Sequence, residues 1–119
     1  MEFALVVTEG PFTRQSSATA CRFARAAIAR GHRVWRVFFF HDGVGNASRH
    51  IEPPGREHNA AGEWSALARE HGVDLVLCVT AAQRRGICAE ALAPGFRIGG
   101  LGQMVEASIR CDRTLVFGG

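Results

Sequence analysis

Four cysteines, five histidines and one Arg-Arg pair carry most of the reactive chemistry in this 119-residue chain. Cys78 stands out by position. It ends the apolar run Asp74-Leu75-Val76-Leu77-Cys78-Val79, and Arg84 and Arg85 follow within about two helical turns. A cysteine at the carboxyl end of a strand, with a helix starting just beyond it, meets backbone N–H groups that favour a thiolate, and nearby cations add to that effect. Such a thiolate can attack a persulfide sulfur and become a persulfide itself. The same position also suits a small buried apolar residue, and position alone leaves both readings open. His41 ends the preceding apolar run and could reach the same sheet edge, there to orient or protonate a sulfur species. Asp42-Gly43 beside it is an ordinary turn signal, so a turn histidine without chemistry is the competing reading.

The other cysteines read differently. Cys21 is in phase with Ala24 and Ile28 on a helix, which places it in the core. Cys111, just before the last strand, reads as a buried structural thiol. Cys88 sits in or beside a loop, either as a resolving thiol or as an incidental one. There is no C-x-x-C pair and no Cys/His cluster with zinc spacing, so no metal site is expected. His32, His50, His58 and His71 fall in turns, loops or helix ends and receive no role. Gly100-x-Gly102 before a helix resembles the start of a dinucleotide fingerprint. It has Val105 where the third glycine belongs, and it comes late in the chain. A tight turn with close packing explains these glycines, although such a turn could hold an anion. A nucleotide- or flavin-binding module would rest on fold analogy alone.

The elements that must position these residues alternate. Strands are expected at Phe3–Thr8, Val34–Phe40, Asp74–Val79, Phe96–Ile98 and Thr114–Phe117, each rich in apolar and β-branched residues. Ser16 or Ser17 could cap a helix whose apolar face carries Ala20, Phe23, Ala24, Ala27 and Ile28, with Gly31 beyond its end. Residues 45–62, with two prolines, read as a surface loop. A helix is expected from about Glu63 to His71, a short one through Arg84 and Arg85, and another from Gly102 to Ile109. Strands separated by helices imply right-handed βαβ units and a mainly parallel sheet covered on both faces. The expectation is therefore one three-layer α/β/α domain of about five strands spanning residues 1–119. In such a sheet, sites form at the carboxyl ends of strands, which selects Thr8–Pro11, His41–Gly43 and Cys78–Thr80. Val37–Phe40 could be a buried strand or a hydrophobic edge that meets a partner.

Bulk properties set the frame. The chain is 47% apolar and 21% charged, with a net charge of +3 and no lysine. This fits a globular domain with a core, and the scattered arginines fit a solvated basic surface better than a nucleic-acid footprint. No run reaches transmembrane length, and Phe3–Val7 is too short for a signal core. The chain is expected in the cytoplasm, with its thiols reduced.

Several stretches together carry a family likeness. They are Phe3-Ala4-Leu5-Val6-Val7, Gly31-His32, Val37-Phe38-Phe39-Phe40-His41-Asp42-Gly43-Val44, Cys78-Val79-Thr80-Ala81-Ala82-Gln83-Arg84-Arg85-Gly86, Gly100-Leu101-Gly102-Gln103, Glu106-Ala107-Ser108 and Asp112-Arg113-Thr114-Leu115-Val116-Phe117-Gly118. Over nearly its whole length the chain resembles the DsrE/TusD family of sulfur-relay sulfurtransferase subunits, and the wording leans towards DsrE. The resemblance implies a flavodoxin-like three-layer fold. It implies that Cys78 carries the persulfide, and no cofactor is needed because the cysteine itself holds the sulfur. The partners implied are two related small subunits, DsrF/DsrH-like or TusC/TusB-like, in a heterohexamer, and a small DsrC/TusE-like carrier protein with a mobile cysteine tail. DsrE-type members serve dissimilatory sulfur oxidation and TusD-type members serve 2-thiouridine formation in tRNA. A non-catalytic, organising subunit of the same complex is a further alternative. The chain departs from the family pattern in one place: the segment between Gly86 and Phe96 is shorter, and Cys88 stands where relatives carry an apolar residue. That segment normally helps to cover the cysteine.

Overall fold

Five strands, β1 (Glu2–Val7), β2 (Arg33–Phe39), β3 (Asp74–Cys78), β4 (Phe96–Gly99) and β5 (Arg113–Phe117), pair in parallel in the order β4-β3-β2-β1-β5. They are seen in a computed structural model that describes residues 1–12, 15–51 and 59–118. The winding runs one way from β1 to β4 and then returns to place β5 beside β1. Right-handed crossovers therefore send the helices to opposite faces. Helices α1 (Ser16–Ala29) and α2 (Ala60–His71) pack together on one face, and α4 (Leu101–Arg110) lies across β1, β2 and β5 on the other. A short α3 (Val79–Arg84) leaves the end of β3. The expected three-layer α/β architecture is the observed one. Among the described residues, no helix is long and apolar enough to cross a membrane.

The main core lies between the sheet and α1/α2. Trp64 is fully buried with its ring edge-on to Phe39 at 5.3 Å, and Phe96 stands 5.4 Å from Phe39. On the opposite face, Ala4, Ala107 and Cys111 form a small cluster against Trp35. A register shift sets this division. Phe3 pairs with Val34, but Ala4 pairs with Arg36, so Trp35 is the extra residue of a β-bulge. The bulge reverses the alternation of β2. Val37 and Phe39 then share a face with Leu5 and Val7, whereas Arg36, Phe38 and the following Phe40 share the α4 face. In β3, Asp74, Val76 and Cys78 lie on that same face. β2 is an interior strand and Val37, Phe38 and Phe39 are buried, so of the two readings of this run the buried strand is the observed one and the partner-facing edge is not.

Two local expectations also change. Residues 41–47 form a 3₁₀-helix, and Gly43, Val44, Asn46 and Ala47 within it are buried, so the loop expected from Gly45 begins only beyond Ala47. Its buried Asn46 accepts from Ser17 Oγ (2.9 Å) and donates to the carbonyls of Gly43 (2.9 Å) and Glu9 (3.1 Å). Ser17 is therefore a buried tie rather than a helix cap, and no side chain caps α1. α2 begins at Ala60, where Asn59 caps Gly62 N, three residues earlier than Glu63. The rest of that expected loop, 52–58, lies outside the described residues.

Arg36 is nearly buried under α4. It donates to Asp74 (2.6 Å), to Glu106 (2.7 Å) and to the Gln103 carbonyl (2.8 Å). Arg97 bonds Asp74 at 2.9 Å through two nitrogens. The hydrogen bonds from Arg97, and then those from Arg36, hold the Asp74 carboxyl below its ordinary range, against the opposing effect of burial. The unfolded chain therefore binds a proton at Asp74 more readily than the folded one. The stabilisation is complete above the unfolded value of about 4 and fades as the pH falls through the lower folded value. The urea midpoint should drop between about pH 5 and pH 3, and Asp74→Asn should be less stable at neutral pH and less sensitive over that interval. An identical acid dependence in the variant would remove Asp74 from this role.

Candidate functional site

The carboxyl ends of β2 and β3 open into a cavity of about 280 Å³ lined by Phe40, His41, Cys78, Val79, Thr80, Ala81, Arg84, Arg85, Gly100 and Leu101. All four residues singled out from the sequence (Cys78, His41, Arg84 and Arg85) meet here. Cys78 is the last residue of β3 and the N-cap of α3, and it is 5% exposed. Its partner across the ladder is Gly99. A Cβ at Gly99 would stand 2.8 Å from Val76 Cγ1 and 3.1 Å from the Gln103 side chain. Close packing under α4 thus falls on Gly99. Gly102 has open space, and Gly100 meets only Gln103 Oε1, which accepts from Gly100 N at 2.7 Å.

The Arg-Arg-Gly sequence acquires a local explanation. Gly86 has φ +68°, Gly86 N donates to Gln83 O (3.2 Å) and Ile87 N donates to Ala82 O (2.9 Å). This is a Schellman ending, which places both arginines at the carboxyl end of α3, where cations suit the helix dipole. The two arginines are not equivalent. Arg85 reaches Asp42 Oδ1 through Nε (3.0 Å) and Nη2 (2.8 Å), and its Nη1 donates to Ala81 O (3.0 Å). Arg84 is exposed on the cavity wall with no ion pair among the described residues.

His41 is held in an unusual conformation. Its φ of 50° makes it the one non-glycine residue with positive φ among those described. Left-handed backbone costs a non-glycine residue roughly 1–2 kcal/mol, so its surroundings must impose it. Phe40 N donates to Val7 O (2.9 Å), and Gly43 N donates to Phe40 O (2.9 Å) and Thr8 O (3.2 Å). The sharp turn between these bonds presses Gly43 onto β1, sets the His41 ring 4.0 Å from that of Phe40 with the planes tilted by 60°, and swings Asp42 towards Arg85. Asp42 is the site residue that sequence reasoning passed over, as one half of a turn signal. Its place beside the strand-end histidine, opposite a basic pair, was the available clue.

The remaining strand end differs. Thr8 stays bonded to β5 through Phe117 O (3.1 Å), and Gly118 packs against its side chain so closely that a Cβ there would overlap Oγ1. Thr8–Pro11 is not among the residues that line the Cys78 cavity. No residue between Gly86 and Phe96 lines the cavity either. That short segment instead pairs back on the 3₁₀-helix, with Ala93 N donating to Ala47 O (2.8 Å) and Arg49 N to Ala91 O (2.8 Å). Among the described residues, no group of His, Cys, Asp and Glu could hold a metal ion.

Residues 1–117 match the family described as DsrE/DsrF-like. The chain belongs to that family. Its relatives include the DsrE protein of Allochromatium vinosum, provisionally named a sulfurtransferase, which is 47% identical with 99% of each chain covered. Sulfurtransferase TusD of Serratia proteamaculans is 39% identical over 98% of this chain and 99% of its own. DsrE is the more similar of the two. Both alignments, of 129 and 128 positions, exceed the 119 residues here, as expected if this member of the DsrE/DsrF-like family lacks residues that relatives carry. The crystal structure of the ychN protein from E. coli shares the fold with a TM-score of 0.86 at 25% identity, covering 98% of this chain and all of that one. MTH1491 from Methanobacterium thermoautotrophicum shares it with a TM-score of 0.76 at 18% identity, over 96% of this chain and 97% of that one.

The other thiols lie elsewhere. Cys21 is buried, and burial first, then Glu63, pushes its pKa up to about 11. Cys111 is raised too, chiefly by burial. Cys88 is exposed, and its thiol hydrogen-bonds the Glu90 carboxylate. At about pH 8, brief alkylation of the native protein should mark Cys88 first and leave Cys21 and Cys111 unmodified by peptide mass spectrometry. Equal labelling of Cys21 and Cys88 would contradict the buried, protonated state assigned to Cys21.

Proposed function

We propose that this chain is a sulfurtransferase subunit that carries sulfur as a persulfide on Cys78 and relays it between protein partners. The observation that carries this reading is that Cys78, alone of the four cysteines, lines the cavity at the strand ends, beside two arginines. The reaction needs no oxidant. The Cys78 thiolate attacks the outer sulfur of a donor persulfide, the donor S–S bond breaks, and the donor departs as a thiolate with the bonding pair. Transfer onward repeats the exchange, with the acceptor thiolate attacking the sulfur held on Cys78. The names of the DsrE and TusD relatives support the same chemistry.

We place the protein in cytoplasmic dissimilatory sulfur oxidation, because the DsrE relative is the more similar of the two. The 39% identity to TusD supports the second reading, sulfur relay for tRNA 2-thiouridine. The working assembly would be a heterohexamer with two related small subunits, serving a small carrier protein with a mobile cysteine tail. One surface supports assembly: Leu101, Val105 and Ile109 form an exposed apolar row along α4 that begins at the cavity mouth.

Incubating the reduced protein with a low-molecular-weight persulfide should add one sulfur atom to the Cys78 peptide, read by mass spectrometry. A gain only after partner subunits are added would mean that the interface completes the site. No gain in either state would leave this chain an organising subunit.

A further inference from the structure

We infer that the Cys78 cavity, besides serving protein partners, admits small persulfide donors and selects those that carry negative charge near the sulfur, with Arg84 as the selecting group and Asp42 as the residue that limits the field. This rests on Cys78 being the reacting sulfur. The lining residues include two arginines and no carboxylate, so an entering molecule meets positive charge. Asp42, held in place by the His41 turn, compensates Arg85 at 2.8 Å, and the Ala81 carbonyl takes a further Arg85 N–H. Arg84 has neither kind of partner among the described residues and keeps its full charge and donors for a ligand. The other walls offer Phe40, Val79 and Leu101, which suit the apolar stem of a small thiol, and the exposed residue Thr80. A volume of about 280 Å³ suits a ligand of modest size. Exchange also releases a thiolate from the donor at this spot, and a nearby uncompensated guanidinium favours that charge.

The test uses two disulfide probes on the Cys88→Ser protein, in which Cys78 is the one thiol that lines the cavity. Dithiobis(nitrobenzoate) is a dianion and dithiodipyridine is neutral. With each, the Cys78 thiolate forms a mixed disulfide and releases one coloured thiolate or thione. Taking the ratio of the two rates cancels changes in access and in thiolate fraction. Arg84→Gln should lower the ratio of dianion rate to neutral rate about five-fold at low salt, and added salt should shrink that difference. Asp42→Asn, which frees Arg85, should raise the ratio, with the melting temperature reported for each variant to show that the fold persists. An unchanged ratio in Arg84→Gln overturns the proposal, as does failure of Cys78 to react with either probe. The persulfide reading stands or falls separately. Sulfur uptake on Cys78 with no charge selectivity would sink only the selectivity, and selectivity without sulfur uptake would sink only the carrier role.

Discussion

Cys78→Ser should take up no sulfur on the peptide holding residue 78 from a small persulfide donor under conditions in which the parent protein gains one atom there. The substitution exchanges sulfur for oxygen at a position that is 5% exposed and paired with Gly99, so it introduces no clash and the variant should melt close to the parent. A serine hydroxyl stays protonated at neutral pH and is a poor nucleophile towards sulfur without a general base, whereas persulfide exchange needs a thiolate. None of the other cysteines lines the cavity, so none is placed to substitute. Any sulfur found on the variant should sit on exposed Cys88, and peptide mapping tells the two apart. If the variant transferred sulfur to an acceptor thiol as fast as the parent, Cys78 would not be the carrier.

Gly43→Ala should destabilise the protein sharply although it adds one methyl group. A Cβ there would overlap the carbonyl oxygen of Val7 and crowd its carbonyl carbon at 2.8 Å, and both are backbone atoms of a central strand. The 3₁₀-helix cannot back away without breaking the bonds from Gly43 N to Phe40 O and Thr8 O and disturbing buried Asn46. Overpacking of this kind costs about 3 kcal/mol, or roughly 10 °C in melting temperature for a chain of this size. Gly102→Ala is the matched comparison. A Cβ at Gly102 meets nothing within 4 Å, and the residue is helical, so the same chemical change should be neutral or stabilise by about 0.5 kcal/mol. Parallel thermal melts decide the matter. A Gly43→Ala protein melting within a degree or two of the parent would mean that the contact with β1 is not rigid.

Much of the architecture was legible because its signals are local. The five apolar runs became the five strands, with no bound off by more than one residue, and the face Ala20, Ala24 and Ala27 of α1 is buried as its spacing required. The 3₁₀-helix at 41–47 escaped notice because Gly43, Asn46 and Ala47 are chemically ordinary loop residues. They are buried through contacts with β1, α1 and the segment after α3, all distant in sequence. The β-bulge at Trp35 was equally hidden. Nothing in Arg33-Val34-Trp35-Arg36 signals an extra residue, and only pairing with β1 exposes it.

From its sequence alone, this protein could be read as a parallel α/β chain resembling the DsrE/TusD family, with Cys78 at a strand's end and two arginines one short helix away. Hydrophobic periodicity, turn residues and motif spacing act over a few residues, and so survive in a one-dimensional reading. Which arginine is free depended on the tertiary structure. Asp42 and Arg85 lie 43 residues apart, and they meet because β2 and β3 are neighbours and His41 adopts a left-handed turn. The cavity beside Cys78 likewise exists because folding brings Phe40 and His41 after β2, α3 and the start of α4 to one place. Charge compensation and open volume are relations between segments brought together by folding, and no local pattern encodes them.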